Sequence, residues 1–351
     1  MRKTAKVLLL VASLVMSVAS YAGTEINGIF YELDSKTKEA SVVTNEPEAF
    51  FSSYSGNVVI PESVSYAGDV YKVTSIARYA FYGAIEVTGV TIPSTVEYVD
   101  EFAFSQCSGV ESIVVDEKNQ VYDSRGNCNA LIHTARNELV KGCKNTIIPN
   151  TVKKIGNYAF EFVGDLKSIV IPSSVTVIGK QAFYYSGLVS VSISPGLKEI
   201  GMNAFYRCTS LSSINLPEGL TTVGNFAFYE CSRLSSIVLP SSLTTIDECA
   251  FELCSSLKTV TNLSTTPQVI YNRTFTVWGD LIVPEGSEEA YMNAPIWKHF
   301  ATIKGQPLSS GVASLRGSDG DQPIVVYDLS GKRLTAPQRG LNIVNGKKRV
   351  R

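Results

Sequence analysis

From Leu211 the apolar positions recur in a fixed order: Leu211, Ile214, Leu216, Leu220, Val223, Ala227 and Phe228. Leu234, Ile237 and Leu239 open the same order again 23 residues later, and Leu257 begins a third pass. In Ile214-Asn215-Leu216 apolar and polar residues alternate, which predicts a half-buried strand, and Pro217 ends it because proline cannot donate to a ladder. Leu220-x-x-Val223-Gly224 predicts a second short extended segment closed by a glycine turn. A unit of this size buries too few apolar side chains to offset the entropy of ordering its backbone, so it must stack on its neighbours. A fixed period in this range therefore predicts a β-rich solenoid rather than a set of globular domains.

The array is followed through its Ala-Phe pairs: Ala80-Phe81, Ala103-Phe104, Ala159-Phe160, Ala182-Phe183, Ala204-Phe205, Ala227-Phe228 and Ala250-Phe251. Their spacings are 23, 56, 23, 22, 23 and 23 residues. The long interval predicts an insertion at about 116–145, where Asn129 to Val140 has the pattern of a hairpin. The short one reflects Tyr184-Tyr-Ser-Gly187 in place of the usual five residues. Before the repeats, Ile26 to Leu33 and Ala40 to Val43 predict two strands of a hairpin cap within 23–56. Such a cap covers the core and unpaired strand groups that a stack leaves at its end. After them, Ser287-Glu-Glu-Ala-Tyr-Met-Asn293 has a capping serine and two acids in its first turn, which predicts a short helix. With Trp297 and Phe300 it closes the far end, so that 57–305 is the solenoid and 263–305 its closing segment.

The residues carrying this pattern resemble the BspA-type leucine-rich repeats of bacterial surface proteins. That family also reads Leu-x-x-Ile-x-Leu-Pro, then Leu-x-x-Ile-Gly, then Ala-Phe-x-x-Cys, and Val283-Pro-Glu-Gly-Ser-x-x-Ala-Tyr resembles its closing segment. The resemblance implies a curved, right-handed leucine-rich repeat solenoid and a role in adhesion or protein binding at the cell surface. It supplies no catalytic residues. Ile324 to Lys332 and Gly340 to Lys348 predict two further strands, the second entering an Asn-Gly turn, behind a Ser- and Gly-rich linker. This 306–351 ending resembles the last strands of the C-terminal sorting domains of type IX secretion, though it is shorter than a full one. The alternative is a small solvated β unit.

Residues 1–22 combine Arg2, Lys3 and Lys6 with an apolar run from Val7 to Ala19 and small residues before Gly23, the make-up of a secretory signal peptide. No later run is long enough for a membrane-spanning helix. Formal charge is −1, or −4 once the three basic residues of the leader are removed. From Gln306 onward eight Lys and Arg face three Asp, so Gly23 to Gly305 carries −9. An acidic body argues against nucleic acid as a partner, because phosphate binding needs a basic face.

Seven cysteines is an odd number for an exported chain, so at least one has no partner within it. Cys208, Cys231 and Cys254 recur at the repeat period and are expected as small buried thiols. A two-residue turn at Ala135-Arg136 would place Cys128 opposite Cys143, a candidate disulfide. Only His133 and His299 are available for acid-base or metal chemistry, and no nucleophile elbow, phosphate loop, dinucleotide fingerprint or His-Glu-x-x-His pattern occurs. Ser318-Asp-Gly-Asp321 lacks the later ligands of a calcium loop. No catalytic residue, cofactor or metal is predicted.

Function is then expected from surfaces that repeat. The outward strand position is Ser112, Ser168, Ser190, Ser213, Ser236 and Thr259, and the next is Val114, Val170, Ser192, Asn215, Val238 and Thr261. Neighbouring strands lie about 4.8 Å apart, so these columns form a flat, small, nearly uncharged face; a plain ladder suited to a tight sheet is the simpler account. A second column, Tyr82, Tyr184, Tyr206 and Tyr229, follows the Ala-Phe pair. Its tyrosines suit protein or glycan contacts, or else pack on one another. The leading expectation is a non-enzymatic, exported adhesion protein that binds protein ligands, host extracellular matrix among them. Carbohydrate capture by the tyrosines, in support of polysaccharide use, and a structural spacer displaying the tail or hairpin are the alternatives.

Overall fold

The structure is a computed structural model that describes residues 23–45 and 52–307, with four backbone strands beyond them. Within the repeats each turn has three sides. On the first, Ser168–Ile171, Ser190–Ile193 and Ser213–Ile214 run parallel in one sheet. Gly56–Val59, Val87–Ile92 and Ser112–Val115 form a separate sheet of the same kind earlier in the chain. Ser236–Leu239, Thr259–Asn262, Asp280–Pro284 and Thr302–Gln306 form another later on. The second side is a ladder of two-residue strands, Lys154–Ile155, Val177–Ile178, Glu199–Ile200, Thr222–Val223 and Thr245–Ile246. Two residues are enough because Ile155, Ile178, Ile200, Val223 and Ile246 all point into the core.

The third side, the Ala-Phe turn, contains no strand yet also bonds from turn to turn. The amides of Tyr158, Phe160 and Phe162 donate to the carbonyls of Lys180, Ala182 and Tyr184 at 3.0, 2.6 and 2.8 Å. The next turns repeat the arrangement through Gln181, Phe183 and Tyr185, and through Asn203, Phe205 and Arg207. Sending alternate amides the same way requires residues of opposite backbone hand. The flanking Tyr158, Phe162, Gln181, Tyr185, Asn203 and Arg207 accordingly have φ of 54° to 57°. A left-handed residue other than glycine costs about 1–2 kcal/mol, and it persists where surrounding structure over-determines it. Here that structure is the aromatic core. Phe160, Phe183, Phe205, Phe228, Phe251 and Phe275 stack with centroids 5.0–5.3 Å apart and rings within 7° of parallel.

The periodic cysteines serve this edge. Cys208, Cys231 and Cys254 each donate Sγ–H to the phenylalanine carbonyl of the preceding turn, to Phe183, Phe205 and Phe228 at 3.1, 3.2 and 3.0 Å. In the shortened turn Ser186 occupies the same slot, and Gly187 follows it because a Cβ there would lie 1.7 Å from the Gly164 carbonyl oxygen. All seven cysteines are buried free thiols.

That finding corrects the expected Cys128–Cys143 disulfide. The inserted hairpin, Ala130–His133 with Glu138–Gly142, pairs Ile132 with Leu139 and then slips at a bulge, so that Ala130 meets Gly142. The slip turns the two cysteines to different sides. Cys143 donates to the Asn129 carbonyl at 3.3 Å and packs in the N-terminal core, while Cys128 belongs to the C-terminal one.

At the N-terminal end the first predicted strand is two, Thr24–Ile26 and Ile29–Asp34, because Asn27 and Gly28, with φ of 52° and 81°, make a tight turn between them. Glu39–Val42 then pairs with Ile29–Asp34, and Asp69–Ile76 continues the sheet on its other side. At the C-terminal end the helix Glu288–Asn293 forms after Ser287. Tyr291 and Trp297 donate to the carbonyls of Ser264 and Gln268 at 2.8 and 2.7 Å, and Trp297 and Phe300 cover Phe275, the last ring of the stack. In the tail, Val326–Tyr327, Arg333–Leu334, Leu341–Val344 and Lys347–Val350 form an antiparallel sheet. Residues 1–22, where the signal peptide is expected, lie outside the described residues.

Candidate functional site

The strand face is built from strands whose inward positions are Ile or Val, which leaves small residues outward. Ser168, Ser190 and Ser213 are direct register partners, and Val170 pairs with Ser192. Ser236 begins a different ladder, with Thr259, Asp280 and Thr302. The cause is Asn215. Its side-chain amide donates to the Ile193 carbonyl at 2.8 Å and accepts from the Ile193 amide at 3.1 Å, doing the work of a backbone partner and cutting its own strand to two residues. Ser168 and Ser213 are exposed, Ser190 and Ser236 half-buried. Beside them Val170 is 63% exposed, and in the earlier sheet Val114 is 47% exposed.

The aromatic edge has a different character. Tyr184 stacks on Tyr206 at 5.0 Å, and Tyr206 on Tyr229 at 4.7 Å with rings 5° apart. Tyr82 lies apart from this run, edge-on to Tyr79. Sequence reasoning missed two members, Phe162 and Tyr185, which stack at 5.1 Å and extend the edge. The available signal was the aromatic residue two places after Phe160 and Phe183. Arg207 binds Glu230 with both forks, at 2.6 and 3.0 Å, and donates to the Tyr185 hydroxyl. Glu230 first, then Tyr185, hold the guanidinium proton more tightly than usual. Burial raises the phenols of Tyr184 and Tyr206, so these rings stay neutral.

No group of three or more His, Cys, Asp or Glu among the described residues is placed to hold a metal ion. No described helix is long and apolar enough to cross a membrane.

A family model described as the BspA type leucine rich repeat region matches residues 47–131 and 137–258, in 6 copies. Among solved structures the chain is similar to a leucine-rich repeat protein from Bacteroides ovatus, at 23% identity and a TM-score of 0.40, over 81% of this chain and 76% of that one. It is similar to a leucine rich cell surface protein from Faecalibacterium prausnitzii at 19% identity and a TM-score of 0.42, over 69% and 95% of the two chains. A third similar structure is the pneumococcal vaccine antigen PcpA, at 15% identity and a TM-score of 0.47, over 81% and 98%. No curated protein sequence matches.

Proposed function

Because the chain belongs to the BspA type leucine-rich repeat family, whose model covers more than half of it, we propose that it is a non-enzymatic, exported recognition and adhesion protein that holds other proteins on its strand face. The observation that carries this choice is the contrast between the two repeated surfaces. On the aromatic edge Tyr206 has both ring faces stacked, by Tyr184 and Tyr229, and each of those has one face taken by Tyr206. A sugar ring that stacks on an aromatic face finds none free on Tyr206, which weighs against glycan capture by a continuous platform of Tyr184, Tyr206 and Tyr229.

The strand face is the reverse. Ser168, Ser190 and Ser213 present no bulk, so a partner's backbone can approach closely, and Val170 offers apolar surface beside them. Protein interfaces pair an apolar centre with a polar surround in this way. Host matrix proteins are the ligands to try first, delivered to by a chain whose leader sends it out of the cell and whose tail serves its display there.

The purified chain is passed over immobilised host matrix proteins and over a glycan array, alongside a Ser190→Arg/Val170→Lys variant of unchanged circular dichroism. Retention on a matrix protein that weakens at least about tenfold in the variant, a loss of about 1.4 kcal/mol, supports the proposal. Retention on glycans alone, or protein binding that the variant leaves intact, rejects it.

A further inference from the structure

The inserted hairpin does more than lengthen one turn, because all three turn-to-turn ladders stop at it. On the strand side, the sheet ending at Ser112–Val115 does not continue into Ser168–Ile171. On the second side, Tyr98–Val99 pairs back to Asp69–Ile76, whereas the sheet containing Lys154–Ile155 starts afresh in the hairpin. On the aromatic edge, Phe81 and Gly83 donate forward to Ala103 and Ser105, but Phe104 and Gln106 donate to no carbonyl among the described residues. The phenylalanine stack breaks there too. Phe81 and Phe104 stack at 5.0 Å, the next run begins at Phe160, and Gly142 fills the place between, where a Cβ would lie 2.2 Å from the Phe160 ring. The apolar core divides into two clusters at the hairpin itself, whose Tyr122, Leu131 and Cys143 pack in the N-terminal cluster and whose Cys128, Ala130, Ile132 and Leu139 pack in the C-terminal one.

What crosses the line is side-chain bonding and the packing of Tyr122, Leu131 and Cys143 into the N-terminal core. The Tyr122 hydroxyl accepts from the Val99 amide at 3.1 Å, Asn119 donates to Pro93 and Val96, and Lys144 pairs with Glu111 at 2.7 Å. Inside the line sit three polar side chains; at the position that Ser105 and Glu161 hold, directly after the turn phenylalanine, four other turns carry Tyr82, Tyr184, Tyr206 and Tyr229. Ser105, Lys141 and Glu161 are 5%, 6% and 8% exposed, and the Ser105 hydroxyl and one Glu161 oxygen have no hydrogen-bond partner. Burial pushes the Lys141 ammonium down and the Glu161 carboxyl up, each only partly relieved by the other's charge and the carboxyl also by the neighbouring Ser105 hydroxyl. The interruption at Asn215 is of another kind, since only the strand ladder stops there and the other two run through.

We propose that the solenoid is two cooperative blocks meeting at the inserted hairpin, and that the seam around Ser105, Lys141 and Glu161 is a built-in weak joint at which they part. Nearest-neighbour stacking makes repeat arrays cooperative only as far as their interfaces couple them. A seam with no backbone ladder and an unsatisfied polar centre is where coupling fails.

The full chain is taken through a urea series with hydrogen exchange read by mass spectrometry. Peptides from 56–115 and from 154–283 should lose protection at different urea concentrations, each group sharply and together. A Lys141→Met/Glu161→Leu variant, which fills the seam with apolar groups, should bring the two midpoints closer, whereas Lys141→Met alone, leaving a buried carboxylate, should move them apart. One common midpoint for all peptides in the parent chain overturns the two-block reading. Midpoints that the double variant leaves unmoved or separates further overturn the assignment of the weak joint to this cluster.

Discussion

Phe205 has both ring faces covered, by Phe183 and by Phe228, and none of its surface reaches solvent. Truncating it opens a cavity in a column that cannot collapse, because its neighbours are held by amides bonded to the turns on either side. Phe205→Ala should cost about 3–5 kcal/mol, read as a lower urea midpoint. The thiols give a second residue-scale test. Burial raises Cys107 and Cys208 to about 12 from the ordinary 9.0. The unfolded chain releases these protons above about pH 9 while the folded one keeps them, so stability is untouched below that value and falls as the pH climbs toward 12. At pH 8 iodoacetamide should leave both thiols unmodified in the native chain and react with both in urea. Sequence had shown that Cys208 is periodic and therefore buried. It misled at Cys128 and Cys143, because the bulge between Leu131 and Ile132 that turns them apart leaves no mark in spacing.

At the scale of the element, the strands were legible from alternation and the proline that ends them, and the closing helix from Ser287 and its acids. The Ala-Phe turn was not. Left-handed residues are sought as glycine or asparagine, yet Tyr158, Phe162, Tyr185, Arg207 and Glu230 take that conformation here. Tertiary bonding overrides the local preference, and only the structure reveals it. The final turn was missed for a similar reason, since Thr274-Phe275 continues the aromatic stack without the expected alanine. Asn215 tests how a strand is shortened. Asn215→Ala strips Ile193 of both side-chain partners and should cost about 1 kcal/mol, with exchange at the Ile193 amide faster than at Val191. If that amide is unaffected, the asparagine does not support the strand.

Over the whole molecule, the fold follows from the period, and its ends and seam from the places where the period fails. Trp297 is 1% exposed and spans from Gln268 to the last phenylalanine. Trp297→Ala should expose Phe275 and the open end of the stack, with dye binding and aggregation at concentrations where the parent stays clear. An unchanged, clear solution would mean the closing helix is dispensable. The function was less legible than the fold because the candidate positions are serines and valines, residues that a sheet uses for its own sake; alternation placed Val170 outward and Ile169 inward, but only the structure shows how fully Val170 is presented.

The three interrupted ladders also bear on how the chain carries tension. Pulled from its two ends, a stacked array loads the bonds between turns in series, so the joint with the fewest parallel bonds yields first. In most joints three rows of backbone hydrogen bonds share the load; at the inserted hairpin it rests on side-chain bonds and the apolar packing of Tyr122, Leu131 and Cys143. Stretched in an optical trap, the chain should extend first at low force by the length of one block and only later release the second. A protein anchored at one end and gripping a partner at the other would thereby lengthen under strain without letting go.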